Sequence, residues 1–140
     1  MSIIYATQAT ALGGRSGTAA TADGRLRVEL STPLILGGDN GPGTNPEQLF
    51  AVGYAACFLS AIRSAAAEAG IAIANDSNVT ASVGLETNDQ SGRQALSVSL
   101  SIDLPGLDQS IATRVVEAAM DTCPFSNAVQ GNVNVSVRIN

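Results

Sequence analysis

The sequence predicts an α+β fold in which a mostly antiparallel sheet accompanies a buried central helix. Three observations carry that expectation. Alternating, strand-like runs open the chain and recur in its second half. A long apolar segment with a clear helix start lies between them. An amphipathic helical pattern then precedes a last alternating run. Such a mixture of strands and segregated helices fits one α+β domain better than a parallel βαβ array.

The first 32 residues read "IIYATQATA", "GRSGTAAT" and "RLRVELS", broken by Gly13-Gly14 and Asp23-Gly24. Asp-Gly is a strong hairpin signal, so three short antiparallel strands are expected here. "TPLILGGDNGPGT", residues 32–44, is rich in Gly and Pro and is expected to be an irregular loop. A helix follows. Asn45 can cap it, Pro46 suits its first position, and Gln48 can complete a capping box. The pattern runs to about Ala69 and stops at Gly70. From Leu49 to Ile62 every side of this helix is apolar or small, which predicts burial all round. "NVTASVGLET" and "QALSVSLSIDL" alternate with period two and are joined by the turn "NDQSGR". "LDQSIATRVVEAAMDT" places Ile111, Val115, Ala118 and Ala119 at helical spacing, and Pro124 should end that helix near Cys123. "NVNVSVRI" closes the chain as a strand.

Nothing in residues 1–140 reads as a linker or repeat, so a single domain is expected. Hydrophobic residues form 45% of the chain and charged residues only 14%; with so little charge, some apolar surface can be hidden against a second subunit. The net charge of −5, with no basic run, argues against nucleic-acid binding. The start "MSIIYATQAT" lacks the pattern of a secretory signal. The longest apolar run, Leu49 to Ile62, falls short of the roughly 18 residues of a spanning helix. A cytoplasmic protein with no membrane partner is the expectation. In that compartment two cysteines in 140 residues read as reduced, metal-bound or catalytic. With no histidine, and with Cys57 and Cys123 isolated from each other in sequence, a zinc site is not expected.

Cys57 has two readings. It is a small core hydrophobe, a common use of free cysteine, or it is a nucleophile in an apolar pocket. Cys123 shares the first reading but sits beside a proline at a helix end, where exposure and movement come more easily. The functional reading joins them: one thiolate is oxidised to a sulfenic acid, and the other thiol resolves it as a disulfide. An apolar helix raises a thiol's pKa, so a cation must offset this. All seven basic residues are arginines. Arg63, six positions beyond Cys57 and about 600° round the helix, leaves that face. Arg15, in "GGRSG", is a better candidate, because glycines let its backbone approach another element; otherwise it is a solvated strand residue. Glu47, in the first helical turn, either favours the macrodipole or holds an arginine through a bidentate pair. On a straight helix ten residues separate Glu47 from Cys57, about 15 Å of rise, so the two cannot touch unless the helix breaks near Gly53.

"GGR", "LSTPLILGG", "GTNPEQLFAVGYAACF" and "CPFSNAVQGNVNVSV" occur in this order over nearly the whole chain. Together they resemble the organic hydroperoxide resistance (Ohr) branch of the Ohr/OsmC superfamily. The resemblance implies an OsmC-like fold in an intertwined homodimer. It also implies a thiol peroxidase that reduces organic and fatty-acid hydroperoxides to alcohols without metal or haem. Cys57 would be the peroxidatic cysteine, Cys123 the resolving one, Arg15 the residue that favours the thiolate, and Glu47 its partner. A lipoylated protein or dihydrolipoamide would restore the dithiol. Phe125 departs from the tyrosine that often follows the family's Cys-Pro pair and removes a hydroxyl near Cys123. An apolar surround suits an alkyl hydroperoxide, and arginine stays charged where lysine would not; on that basis Cys57 is taken as the nucleophile. Two other readings compete: a dimeric acyl-ligand binding protein with inert cysteines, and general thiol–disulfide exchange, for which no Cys-x-x-Cys is present.

Overall fold

A computed structural model describes all of residues 1–140, which divide into two compact units, Met1–Leu49 and Phe50–Asn140. The α+β expectation holds, with a small sheet in each unit.

In the first unit, β1 (Ala9–Leu12), β2 (Thr18–Thr21) and β3 (Arg27–Glu29) form an antiparallel sheet in chain order. The β1–β2 connection contains the "GGRSG" stretch as a single 3₁₀ turn, Gly14–Ser16. Glycine is required at its exit: a Cβ on Gly17 would lie 1.7 Å from the carbonyl oxygen of Leu12. The turn is therefore tight, and it presents Arg15 at its middle. After β3 the chain makes a short 3₁₀ turn at Leu34–Leu36 within the loop read from the Gly and Pro content. It then returns beside β3, where Ser31 N–H donates to the Thr44 carbonyl and Thr44 N–H to the Glu29 carbonyl, both at 2.9 Å. That return delivers Asn45 and Pro46, and with them the start of the central helix.

Helix α1, Pro46–Glu68, begins in the first unit and runs unbroken through Gly53. Asn45 caps it as read, its Oδ1 accepting from Gln48 N–H at 2.8 Å. The capping box is not completed: the Gln48 side chain instead accepts from the Thr44 hydroxyl at 2.7 Å. At the other end Gly70 has φ of 68° and its N–H bonds to the Ala67 carbonyl, while Ile71 N–H reaches back to the Ala66 carbonyl. This is the paired C-terminal bonding that glycine makes possible.

In the second unit β4 (Asn78–Thr87) and β5 (Gln94–Asp103) form the expected hairpin, paired antiparallel from Asn78–Asp103 to Thr87–Gln94. Helix α2 (Gln109–Thr122) ends just before Cys123, as the following proline requires. Pro124 then starts a further short helix, α3 (Pro124–Val129), which the sequence did not predict. The last strand, β6 (Asn134–Ile139), pairs parallel to β5, so the sheet is mostly but not wholly antiparallel. A parallel neighbour needs a crossover, and α2 with α3 provides it.

One stripe of α1, Tyr54, Phe58, Ile62 and Ala66, packs with alternate β5 residues Val98, Leu100 and Ile102 and with Ala112, Val115, Val116 and Ala119 of α2. The spacings of four on the helix and two on the strand are what one-sided burial demands. Each large side chain removed from water stabilises the fold by roughly 1.5–3 kcal/mol. Two expectations about α1 need correcting. It is not buried all round in the single chain, since Val52 remains 70% exposed. The helix is also long and apolar enough, by length and composition, to cross a membrane; the count that stopped at Ile62 missed the run of alanines beyond it. Here its Tyr54–Ala66 stripe is core.

Candidate active site

Each unit holds one pair of the residues singled out from the sequence. In the first, Arg15 and Glu47 meet as a bidentate pair: Nη1 donates to Oε2 at 2.9 Å and Nη2 to Oε1 at 2.5 Å. The backbone supports the arginine. Thr32 Oγ1 donates to the Arg15 carbonyl at 3.2 Å and lies 2.7 Å from Ser16 Oγ, which donates to it. The bonds from Arg15 hold the Glu47 carboxyl below its ordinary 4.5, and the same bonds raise the pKa of the guanidinium, which stays charged. A depressed carboxyl stabilises the fold above pH 4.5, and that contribution is lost as pH falls through the lowered value. With the Arg15 side chain 37% exposed, solvent screening limits the stabilisation to about 1 kcal/mol. The pair therefore serves to fix the orientation of a permanent cation more than to hold the unit together.

In the second unit Cys57 and Cys123, 66 positions apart in sequence, bring their sulfurs to 3.6 Å, and both are free thiols. Cys57 comes from the middle of α1. Cys123 is the residue between α2 and α3, held in extended geometry by the proline that follows (φ −69°, ψ 121°). Their exposures reverse the sequence expectation. Cys123 is wholly buried, whereas Cys57 is partly exposed. Pro124 does not loosen Cys123, because α3 continues the packing immediately.

Burial pushes the Cys57 thiol above its ordinary 9.0. The backbone N–H of Phe125 draws it down, and the neighbouring Cys123 pushes it up again. An unassisted Cys57 is thus almost entirely protonated at neutral pH. A disulfide needs about 2.05 Å between sulfurs, so closing the gap takes about 1.5 Å of movement from 3.6 Å. Such a pair can exchange two electrons and two protons with a substrate by making and breaking one S–S bond.

Aromatic rings surround the thiols' supports. The Phe125 ring lies 6.1 Å from Phe50 and 5.8 Å from Tyr54 between centroids, and Tyr54 lies 6.4 Å from Phe58. Phe125 rests on α1 at Gly53, where a Cβ would come within 3.2 Å of its ring. The missing hydroxyl at position 125 is thus accompanied by close apolar packing on the helix that carries Cys57. A feature the sequence reading missed is the buried bond between Tyr54 Oη and Ser126 Oγ, at 2.8 Å. Its only trace in the sequence is spacing: Tyr54 stands three residues before Cys57 and Ser126 three after Cys123.

An α+β domain holding two reduced thiols just outside bonding distance defines the chain as a dithiol protein. Residues 37–138 match the family model described as OsmC-like protein. An organic hydroperoxide resistance protein of Xanthomonas axonopodis pv. citri is 42% identical over 137 residues, covering 98% of this chain and 95% of the relative. The crystal structure of an organic hydroperoxide resistance protein from Legionella pneumophila matches with a TM-score of 0.92 at 44% identity, over 99% of both chains. That of OhrB from Bacillus subtilis matches with a TM-score of 0.89 at 37% identity, over 99% of this chain and 100% of the other. The chain belongs to the OsmC-like family, in its organic hydroperoxide resistance branch.

Proposed function

We propose that residues 1–140 act as one domain, a cytoplasmic thiol peroxidase for organic and fatty-acid hydroperoxides. The observation that carries this reading is the 3.6 Å separation of two free sulfurs. The Cys57 thiolate attacks the outer oxygen of ROOH, the O–O bond breaks, and the alkoxide takes a proton to leave as alcohol. Cys57 is left as a sulfenic acid. Cys123 then displaces its hydroxyl, forming the S–S bond and releasing water. A lipoyl-type dithiol, as dihydrolipoamide or on a lipoylated protein, reduces the disulfide by exchange and is itself oxidised. No metal or haem enters this cycle. Arg15, oriented by Glu47, is the cation that favours the Cys57 thiolate.

Apolar side chains around the site favour an alkyl substrate over a strongly hydrated one. Purified protein supplied with dihydrolipoamide should consume cumene or linoleic hydroperoxide at least about tenfold faster than hydrogen peroxide, a difference of about 1.4 kcal/mol in barrier. Equal rates on the two classes would count against the assignment.

The same reading includes a homodimer. Leu34 and Ile35 in the first unit are 71% and 92% exposed, and Val52 in the second is 70% exposed. Apolar surface of this kind is ordinarily covered by a partner. Sedimentation should give twice the 14.1 kDa chain mass. A monomer at micromolar concentration would refute the dimer.

A further inference from the structure

The buried hydroxyl pair Tyr54–Ser126 has no part in the chemistry set out above, yet its placement follows the sulfur pair closely. Tyr54 lies on α1 three residues before Cys57, and Ser126 lies on α3 three residues after Cys123. In a helix, a separation of three returns a side chain to the same face one turn away. The Tyr54 Oη to Ser126 Oγ bond, 2.8 Å, thus joins the same two stretches of chain as the 3.6 Å sulfur contact, one helical turn from Cys57 on α1 and three residues past Cys123. Tyr54 is fully buried and Ser126 is 4% exposed, so each hydroxyl takes the other as its partner in place of bulk water. Met120 Sδ, 3.9 Å from Ser126 Oγ, fills the other side of the serine.

We infer that Tyr54 and Ser126 are positioning residues that hold Cys123 in reach of oxidised Cys57, and that their bond sets the rate of disulfide closure. The inference rests on the peroxidase reading. Helix α3 has six residues, too few to be stable alone. It is held on α1 by Phe125, whose ring packs over Gly53 and beside Phe50 and Tyr54 and whose N–H meets Cys57, and by this one bond between side-chain hydroxyls. Closure requires Cys123 sulfur at near-attack distance, about 3–3.5 Å, from the sulfenic sulfur. The resting 3.6 Å is already close to that. Once the hydroxyl bond is lost, α3 can drift on α1, and the fraction of time spent at that distance falls. The closure step is balanced: the S–O bond of Cys57–SOH breaks, the S–S bond forms, and the hydroxyl leaves with the Cys123 proton as water. The hydroperoxide is the oxidant.

The test is stopped-flow oxidation of reduced protein by one equivalent of cumene hydroperoxide. Sulfenic acid is trapped by a dimedone-type probe, and the disulfide is counted by non-reducing mass spectrometry. Tyr54→Phe and Ser126→Ala should form the sulfenic acid at the parent rate. Each should close the disulfide about three- to tenfold more slowly, the factor one typical hydrogen bond represents. Because both variants remove the same bond, Tyr54→Phe/Ser126→Ala should be no slower than the slower single variant. Ser126→Thr keeps a hydroxyl and should restore closure, which a loss of general stability would not do. Closure within twofold of the parent in both single variants, additive slowing in the double, or no recovery in Ser126→Thr would overturn the inference while leaving the peroxidase intact. If the parent itself forms neither sulfenic acid nor disulfide, the peroxidase reading falls and the inference falls with it.

Discussion

Replacing Cys57 by serine should reduce hydroperoxide turnover to the uncatalysed background, whereas replacing Cys123 by serine should leave a single oxidation intact. The two thiols are not equivalent. Cys57 is partly exposed and receives the backbone N–H of Phe125, so a peroxide can reach it and its anion has a donor. Cys123 is fully buried, so its reachable electrophile is the neighbouring sulfur at 3.6 Å. In Cys123→Ser, one equivalent of cumene hydroperoxide should be consumed within about threefold of the parent rate. The sulfenic acid should persist, be captured quantitatively by a dimedone-type probe, and advance to the irreversible sulfinic acid when peroxide is in excess. Mass spectrometry of the Cys57 peptide distinguishes each state. A fully active Cys57→Ser enzyme, or a sulfenic acid found on Cys123 in the parent, would assign the nucleophile wrongly. The experiment also separates the peroxidase from an acyl-ligand binding protein, which should form no Cys57–Cys123 link after the same pulse.

The elements legible in the sequence were those whose period or punctuation is local. The β4–β5 hairpin came from alternation on both sides of "NDQSGR", and the start of α1 from Asn45-Pro46. The parallel pairing of β6 was not legible, because direction depends on where the α2–α3 crossover sets the strand down and not on its own alternating residues. Helix α3 was hidden by its shortness: fewer than two turns between Pro124 and Val129 leave no room to display a helical period. The exposures of the two cysteines were exchanged for a related reason. A proline after Cys123 signals a helix end, but not that a second helix begins at once and seals the thiol. The sulfur contact, the Arg15–Glu47 pair and the Tyr54–Ser126 bond each join residues at least 32 positions apart. No spacing rule reaches that far; residue chemistry offers the first two as alternatives, and the resemblance of the motifs to a known family selects them. Tyr54 and Ser126 stand within those same motifs, but no local pattern pairs them.

On the proposed reading, in which Arg15 is the cation for the Cys57 thiolate, Arg15→Ala should raise the Cys57 pKa by about 1–3 units, the range for loss of an opposite charge, and should slow peroxide reduction at pH 7 at least about tenfold. The second unit alone leaves Cys57 above 9.0, with burial and Cys123 both opposing the thiolate and the Phe125 N–H favouring it. Near pH 7 each further unit lowers the thiolate population about tenfold. A working nucleophile therefore needs a cation. With no lysine or histidine in the chain it must be an arginine. Arg15 is distinguished by its bidentate hold on Glu47, against the single, highly exposed contact of Arg25 with Asp23. A guanidinium fixed by one face of its fork keeps other N–H groups free to meet an anion. Glu47→Gln should keep the cation but loosen its aim, giving a smaller loss in rate than Arg15→Ala. Thiolate absorbance followed from pH 5 to about pH 11, together with the rate at each pH, provides the check. In Arg15→Ala the titration should move upward and the rate should recover as pH approaches the new pKa, because the missing cation limits how much thiolate forms. Superimposed titrations for parent and Arg15→Ala would remove Arg15 from thiolate formation. A lower rate that no rise in pH restores would place Arg15 at the peroxide instead.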